Sequence, residues 1–444
     1  ITCSGASMVG HWSAWMGSAA LMGLVALEAA NPSVQRFYTE GVPHTDRHGK
    51  ALNTWDPDRS FLMIGSWGVP ESRIYKGVDY RWHQLVEAHY NTVWPWPMGG
   101  YTTQAQLEDA AEHDLQVILM RRIDARSLES IQQAPRLMGI VWQDEPLVNF
   151  GTDAARQRLE QRNFATYQKQ IHAVLPDLPV LVNTSPWMVG NGRSPWIQWH
   201  RLSDISCHDN YVIWPHTRSL NLGSYGSEKN GIADSMQLAL EVNQRTKPTW
   251  LIVGAFESMD SPQADFPFRY PTPMQLRGMV YSGVIHGATG IVYYAWDSNV
   301  TRFGMAPRRQ PEIPGRPSAT PMQAIMGETL WHTAASINQE LLSLKQEILT
   351  PTVIMDYAVQ IEGEPITPYP VRTLLKHHQE EGFVLFTVNM DSVPLKAHYR
   401  FPMMLRAAKP LFENRPAPQI PASGDTVELS YEPYEVHLMH LIPH

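Results

Sequence analysis

The chain has 444 residues, a formal net charge of −8 at pH 7, 18% charged residues and 43% hydrophobic residues. That length can bury a large core, and one barrel-sized domain followed by a smaller one is the natural division. The acidic balance, with no run of Lys or Arg, excludes a nucleic-acid surface, and a 10% aromatic content with 15 Trp excludes a disordered chain.

The first recognisable element is an apolar stretch rich in small residues, Trp12 to Ala30, followed by the polar pair Asn31-Pro32. It reads as the hydrophobic part of a secretory signal cleaved near Ala29-Ala30, although no Lys or Arg precedes it. A buried N-terminal helix is the alternative. A membrane anchor fits less well, because the stretch is short and Glu28 interrupts it. The expectation is a secreted or periplasmic protein with residues 1–30 removed, no membrane attachment thereafter, and residues 31–60 leading into the first domain. Cys3 would leave with the signal. Cys207 then remains alone and reads as a small buried residue. With no cysteine cluster and 18 scattered His, neither a metal site nor another cofactor is expected.

Eight short apolar runs follow. They begin near Phe61 (FLMIGSWG), Tyr90 (YNTVWPWP), Leu115 (LQVILMRR), Met138 (MGIVWQDEP), Pro179 (PVLVNTSPW), Asp204 (DISCHDNYV), Pro248 (PTWLIVGAFES) and Thr289 (TGIVYYAWDS). Near-continuous runs rich in Val and Ile suit strands buried on both faces of a parallel sheet. Helical patterns lie between them, at Thr102 to His113, Thr152 to Leu175, Asn230 to Thr246 and Thr272 to Gly287. Eight strands alternating with helices predict a (β/α)8 barrel over residues 61–344, closed by a helix from Met322 to Leu344. The long segments after strands four, six and seven predict loops at one end of it. Beyond residue 345 the texture changes to short alternating segments such as TVIMDYAV, GFVLFTVNM, TVELSY and EVHLMHL. These predict an antiparallel β-sandwich over 345–444.

The chemistry gathers at predicted strand ends, where a barrel presents its reactive groups. Strand four ends in Asp144-Glu145-Pro146 and strand seven in Glu257. Across a barrel mouth two such carboxyls can work as a pair, one protonated to donate to a leaving oxygen and one ionised to attack. An Asp-Glu-Pro run is also an ordinary helix start. Asn183 ends strand five, and His208, Asp209 and Tyr211 end strand six. Arg121-Arg122 end strand three, and an internal salt bridge is their simplest use. Trp67, Trp94, Trp96, Trp142, Trp187, Trp214 and Trp296 fall at or near strand ends, either as stacking faces for a sugar ring or as core packing. Trp94, Trp96 and Trp296 are the best candidates for stacking faces, while Trp142 reads as barrel interior.

On these strand-end residues the sequence resembles the clan A glycoside hydrolases, over Phe61 to about Ser336. The resemblance implies a retaining hydrolase of a β-linked poly- or oligosaccharide, needing no cofactor, with a carbohydrate as its partner. It implies Glu145 as acid/base, Glu257 as nucleophile, Tyr211 as the tyrosine bonded to the nucleophile and Trp296 as the floor of the sugar subsite. Asp144 stands where that family usually has Asn, which donates to the sugar 2-hydroxyl, and an ionised Asp can only accept. An Asp-Glu pair also resembles substrate-assisted N-acetylhexosaminidases, in which the Asp orients an acetamido group. A third reading is a catalytically inactive carbohydrate-binding barrel.

Overall fold

The computed structural model describes residues 34–38 and most of 61–444, leaving out 69–73, 76–77, 80–81, 96–102, 121, 124–126, 129–130, 132–133, 135, 187–191, 224–229, 244–246, 259–267, 297–301, 307–317, 351 and 354. The stretch Trp12 to Ala30, Trp96, Arg121 and Trp187 lie outside the described residues. Among the described residues no helix is long and apolar enough to cross a membrane.

Eight parallel strands close on themselves. They are β1 (Met63–Trp67), β2 (Thr92–Trp94), β3 (Gln116–Leu119), β4 (Leu137–Asp144), β5 (Val180–Thr184), β6 (Ser206–Asn210), β7 (Thr249–Gly254) and β8 (Gly290–Tyr294). Each pairs with the next in sequence, and β8 returns to β1 with Tyr294 opposite Trp67. Seven lie inside the predicted runs, and β4 starts one residue before its run. Strand alternation then sorts the side chains. On β7, Trp250 and Ile252 join Met63, Leu181 and Val292 in the barrel interior. Leu251 and Val253 instead join the outer cluster packed against the helices.

The predicted helices form where their start signals stand. Ala154–Val174 begins at Asp153, whose carboxylate accepts from the Arg156 backbone N–H. Pro273–Ile285 and Pro321–Ser343 both begin with a capping box, Thr272 with Gln275 and Thr320 with Gln323. A further helix, Arg193–Leu202, is absent from the sequence reading. Its RSPWIQWHRL run looks like a loop, but Pro195 falls in the first turn, where no backbone donor is required. Trp196 and Trp199 bury its inner face.

The C-terminal residues form two four-stranded antiparallel sheets. One contains Val371–His377, Phe383–Asn389, Val436–Pro443 and Leu405–Pro410; the other contains Asp356–Glu362, Leu395–Arg400, Thr426–Tyr431 and, at its edge, Val34–Tyr38. Val34 lies opposite Gln360 and Tyr38 opposite Asp356. The chain therefore enters through the sandwich before it builds the barrel. Leu385, Met439 and Leu441 face the partner sheet, while Val384, Phe386 and Leu438 face the barrel helices. Burial on both faces explains why FVLFTVN is nearly continuous in hydrophobicity although its sheet is antiparallel. Arg277 ties this seam, donating to the Val436 carbonyl at 2.8 Å and to Glu340 at 3.0 Å.

The lower barrel interior is filled by Trp250, and Gly290 on the neighbouring strand makes room for it. A Cβ at position 290 would lie 2.4 Å from Trp250 Cδ1 and 2.8 Å from Met63 Cε. Gly290→Ala should therefore overpack the core and cost about 1–3 kcal/mol. The check is a thermal melt, and an unchanged midpoint would refute this account of the packing.

Candidate active site

The mouth of the barrel is divided into a polar arc and an aromatic arc. The polar arc comes from β4, β5 and β6. A register shift on β4 between Val141 and Gln143 brings Asp144 opposite Asn183 of β5. Asn183 Nδ2 donates to Asp144 Oδ1 at 2.9 Å. The Cys207 thiol donates to Asn183 Oδ1 at 3.9 Å, which fixes which way the amide faces. The backbone is tied as well, because the Glu145 N–H donates to the Asn183 carbonyl at 2.8 Å.

Glu145 sits in the left-handed region, at φ 41° and ψ 64°, just before the short helix Pro146–Asn149. A side chain at such a position is strained. That turn sets its carboxyl against Asp209 of β6, and the two carboxyls share a hydrogen bond. Asp209 is 2% exposed, while Asp144 and Glu145 are half-buried.

Three carboxyls so close cannot all ionise cheaply. Burial first, and then the charge of Glu145, raises the proton affinity of Asp144 to a pKa of about 7. Burial likewise raises that of Glu145, opposed by the bond with Asp209 and the positive charge of Arg302. Asp209 is raised well above the ordinary carboxylate range, by burial and then by the charges of Glu145 and Asp144. The cluster thus retains a proton near neutral pH, as a general acid requires.

Arg302, the counter-charge, has no sequence signature. It lies in a two-residue strand after β8, opposite Ser258. Its guanidinium stands 4.7 Å from the Tyr294 ring centroid and 5.1 Å from that of Phe256. These rings begin the aromatic arc, which Tyr211 joins by stacking on Tyr294 at 5.6 Å. A period-two reading of β7 and β8 would have marked Phe256 and Tyr294 as inward-facing. Arg302 follows a loop and offers no such signal.

Several predicted residues are placed elsewhere. Glu257 follows the inward-facing Phe256 and turns toward the helix layer. It accepts from Gln323 Nε2 at 3.0 Å and lies 3.8 Å from Arg269 Nη1. The groups acting on the Glu145 proton include Asp209 and Arg302. Tyr211 lies beside the Asp209 and Glu145 charges. His208 points outward, because it alternates with Cys207 and Asp209. Its Nε2 pairs with Ser235 Oγ of the helix Ile232–Val242 at 3.0 Å, and burial lowers its pKa to about 3.

The tryptophans are mostly core. Trp94 is 0% exposed, stacked on Trp67 at 5.1 Å, and offers no face to a sugar. Trp296 is 1% exposed and packs on Trp331 of the last barrel helix at 4.3 Å. Trp142 is outside the barrel rather than inside it, against Phe164 and Trp199. Arg122 covers the Trp142 ring at 4.1 Å, and among the described residues it forms no salt bridge. Trp214 is half-buried on Phe268 at 4.8 Å and remains near the mouth.

Two outcomes follow from this geometry. Replacing Glu145 by Gly should leave the protein about 1 kcal/mol more stable than replacing it by Ala, because only Gly adopts a left-handed φ freely. Paired melts of the two variants decide it, and equal midpoints would exclude strain at this position. The second concerns pH. A folded pKa near 7 for Asp144, against about 3.9 when unfolded, means the folded state holds the extra proton between those values. Stability is therefore intact below about pH 4 and declines as pH rises through 7. Asp144→Asn should raise the melting temperature at about pH 8 relative to wild type, with the gain shrinking at about pH 4. A gain independent of pH would contradict the assignment.

No protein-family profile matches the chain, and no curated protein sequence matches it. Solved structures do. A family 42 β-galactosidase from G. stearothermophilus, solved as a catalytic mutant, aligns at 9% identity over 87% of this chain and 98% of its own, with a TM-score of 0.48. A family 39 glycoside hydrolase from Bacteroides cellulosilyticus aligns at 9% identity over 86% and 81%, with a TM-score of 0.48. A family 30 endoxylanase from Clostridium papyrosolvens aligns at 10% identity over 86% and 96%, with a TM-score of 0.42.

Proposed function

We propose that the protein hydrolyses glycosidic bonds in a β-linked poly- or oligosaccharide, with Glu145 as the proton donor. The observation that carries this reading is the buried contact of Asp144, Glu145 and Asp209 at the barrel mouth. It supplies carboxyls whose proton affinities burial and mutual repulsion raise, beside an arc of aromatic rings. A glycosidic oxygen is a poor leaving group until protonated, and a carboxyl tuned upward in pKa serves that step. The half-buried ring of Tyr211 suits the apolar C–H face of a pyranose.

For the second step, double displacement assigns Glu257 as nucleophile, attacking the anomeric carbon and forming a glycosyl ester that water then opens. In that mechanism Glu257 must leave Gln323 and Arg269 when substrate binds, a rearrangement within the range of loop closure. A second reading is favoured by a specific observation. The carboxyls beside the acid are Asp144, its neighbour in sequence, and Asp209, which shares a hydrogen bond with it. In a substrate-assisted reaction Asp144 orients an acetamido group of the sugar itself, and no enzyme nucleophile is needed.

A screen of polysaccharides and aryl glycosides, with product analysis, comes first. On any substrate cleaved, Glu145→Gln should lower kcat by about 10²-fold or more when the leaving group is a sugar. Activated aryl glycosides should be affected less, because their leaving groups need little protonation. A 2-fluoro glycoside should trap a covalent adduct on Glu257 under double displacement. Full turnover of N-acetylated substrates without an adduct selects the substrate-assisted route. Undiminished hydrolysis by Glu145→Gln would defeat both mechanisms, and binding without hydrolysis of any glycan would leave a carbohydrate-binding barrel.

A further inference from the structure

The loop that leaves β6 carries Tyr211 and Trp214 past the mouth and then runs out to the sandwich. From Tyr211 to Gly223 it contains no helix or extended strand of its own. Its shape must therefore come from bonds to its surroundings. At the outer end these bonds go to the C-terminal sheets. The Leu220 N–H donates to the Met390 carbonyl at 2.7 Å, and the Ser392 N–H donates to the Arg218 carbonyl at 2.8 Å. Ser219 and Asp391 form an isolated β-bridge between these bonds.

Asn221 completes the junction. Its Nδ2 donates to Thr367 Oγ1 at 3.0 Å and to the Tyr369 carbonyl at 2.8 Å. Its Oδ1 accepts from Arg372 Nη2 at 3.3 Å. Both amide protons and the carbonyl of this 7%-exposed side chain are thus engaged by residues of the sandwich. The receiving side is itself fixed, since Asp391 accepts from the Ile366 and Thr367 backbone N–H groups and from the Thr367 hydroxyl. Tyr434 adds a bond from its hydroxyl to the Thr217 carbonyl at 3.0 Å.

The inner end of the loop transmits this anchoring to the site. Thr217 Oγ1 donates to the Val212 carbonyl at 2.8 Å and accepts from the Trp214 N–H at 2.6 Å. The Ile213 carbonyl accepts from the Arg269 N–H at 3.3 Å, and Arg269 is the cation beside Glu257. Tyr211 meets Phe256 and Phe268 edge-on.

We infer that the C-terminal sandwich is a clamp that positions the β6 loop, with Asn221 as its latch and Tyr211 as the residue it places. Asn221 acts through the loop and touches no reacting atom, so it is a positioning residue. Its effect on turnover rests on the hydrolase reading above. The clamp itself does not.

The test uses hydrogen exchange on the full-length Asn221→Ala protein, read by mass spectrometry, with Tyr434→Phe as a milder second variant. Peptides spanning residues 211–223 should exchange about tenfold faster, while β4 and β8 keep their wild-type rates. On a glycoside that the wild type cleaves, kcat should fall several-fold with little change in melting temperature. Wild-type exchange across 211–223 in both variants would overturn the inference. So would acceleration spread evenly over barrel and sandwich, which would make the contact a general stabiliser, or faster loop exchange with unchanged turnover. Localised acceleration in a protein that cleaves no glycan would uphold the clamp and reject the hydrolase reading.

Discussion

Closure of the parallel sheet is the constraint on which the rest depends. Once β8 pairs with β1, every strand has two neighbours and no edge, so each side chain must face either the interior or the helices. That binary choice assigns Asp144, Asn183 and Asp209 to the mouth. It sends His208 to a buried polar contact with Ser235 behind the strand. Adjacent residues acquire opposite roles because they differ by one position. The shift between Val141 and Gln143 belongs to the same logic, since it sets Asp144 against Asn183.

The site that results is costly. Three carboxyls are drawn partly or wholly out of water with, among the described residues, the Arg302 guanidinium to offset them, and Glu145 is held in a backbone conformation that suits glycine better. Such features persist only where the surrounding structure imposes them. Here the imposing elements can be named: the Asn183 carbonyl that holds the Glu145 N–H, the thiol that orients the Asn183 amide, and the rings that flank Arg302. A protein that needed only a stable barrel would have no use for them.

Much of this was legible in the sequence. Eight Val- and Ile-rich runs, hydroxyl caps before the helices and the change to short alternating segments each carry a local physical cause and each appears in the structure, although Lys345–Leu349 is still helical and the C-terminal strands begin at Asp356. Asp144, Glu145, Asn183, Asp209 and Tyr211 were legible as strand ends. Facing direction is harder to read. At the end of β7 the inward position is Phe256, and Glu257, the next residue, accepts from Gln323. Tryptophans at strand ends look alike in sequence, whether they fill the core as Trp94 does or pack on a helix as Trp296 does. Arg302 was not legible at all, because its place comes from a tertiary pairing with Ser258 across two loops. The loop after β6 looked merely long, and its purpose emerges from partners more than 140 residues away.

One feature of the entry into the fold reaches beyond the finished molecule. Val34–Tyr38 is an edge strand of a sheet whose other members follow the barrel. In topological terms the barrel is an insertion between the first strand of that sheet and the rest. A chain made from its N-terminus at about 5–20 residues per second must keep this strand unpaired for on the order of tens of seconds, until residues 356–362 emerge. During that interval its backbone donors and acceptors are open to any other extended segment. Pairing of this strand can therefore come only after residues 356–362 are made, and a fragment beginning after residue 38 would make Asp356–Glu362 the edge of that sheet.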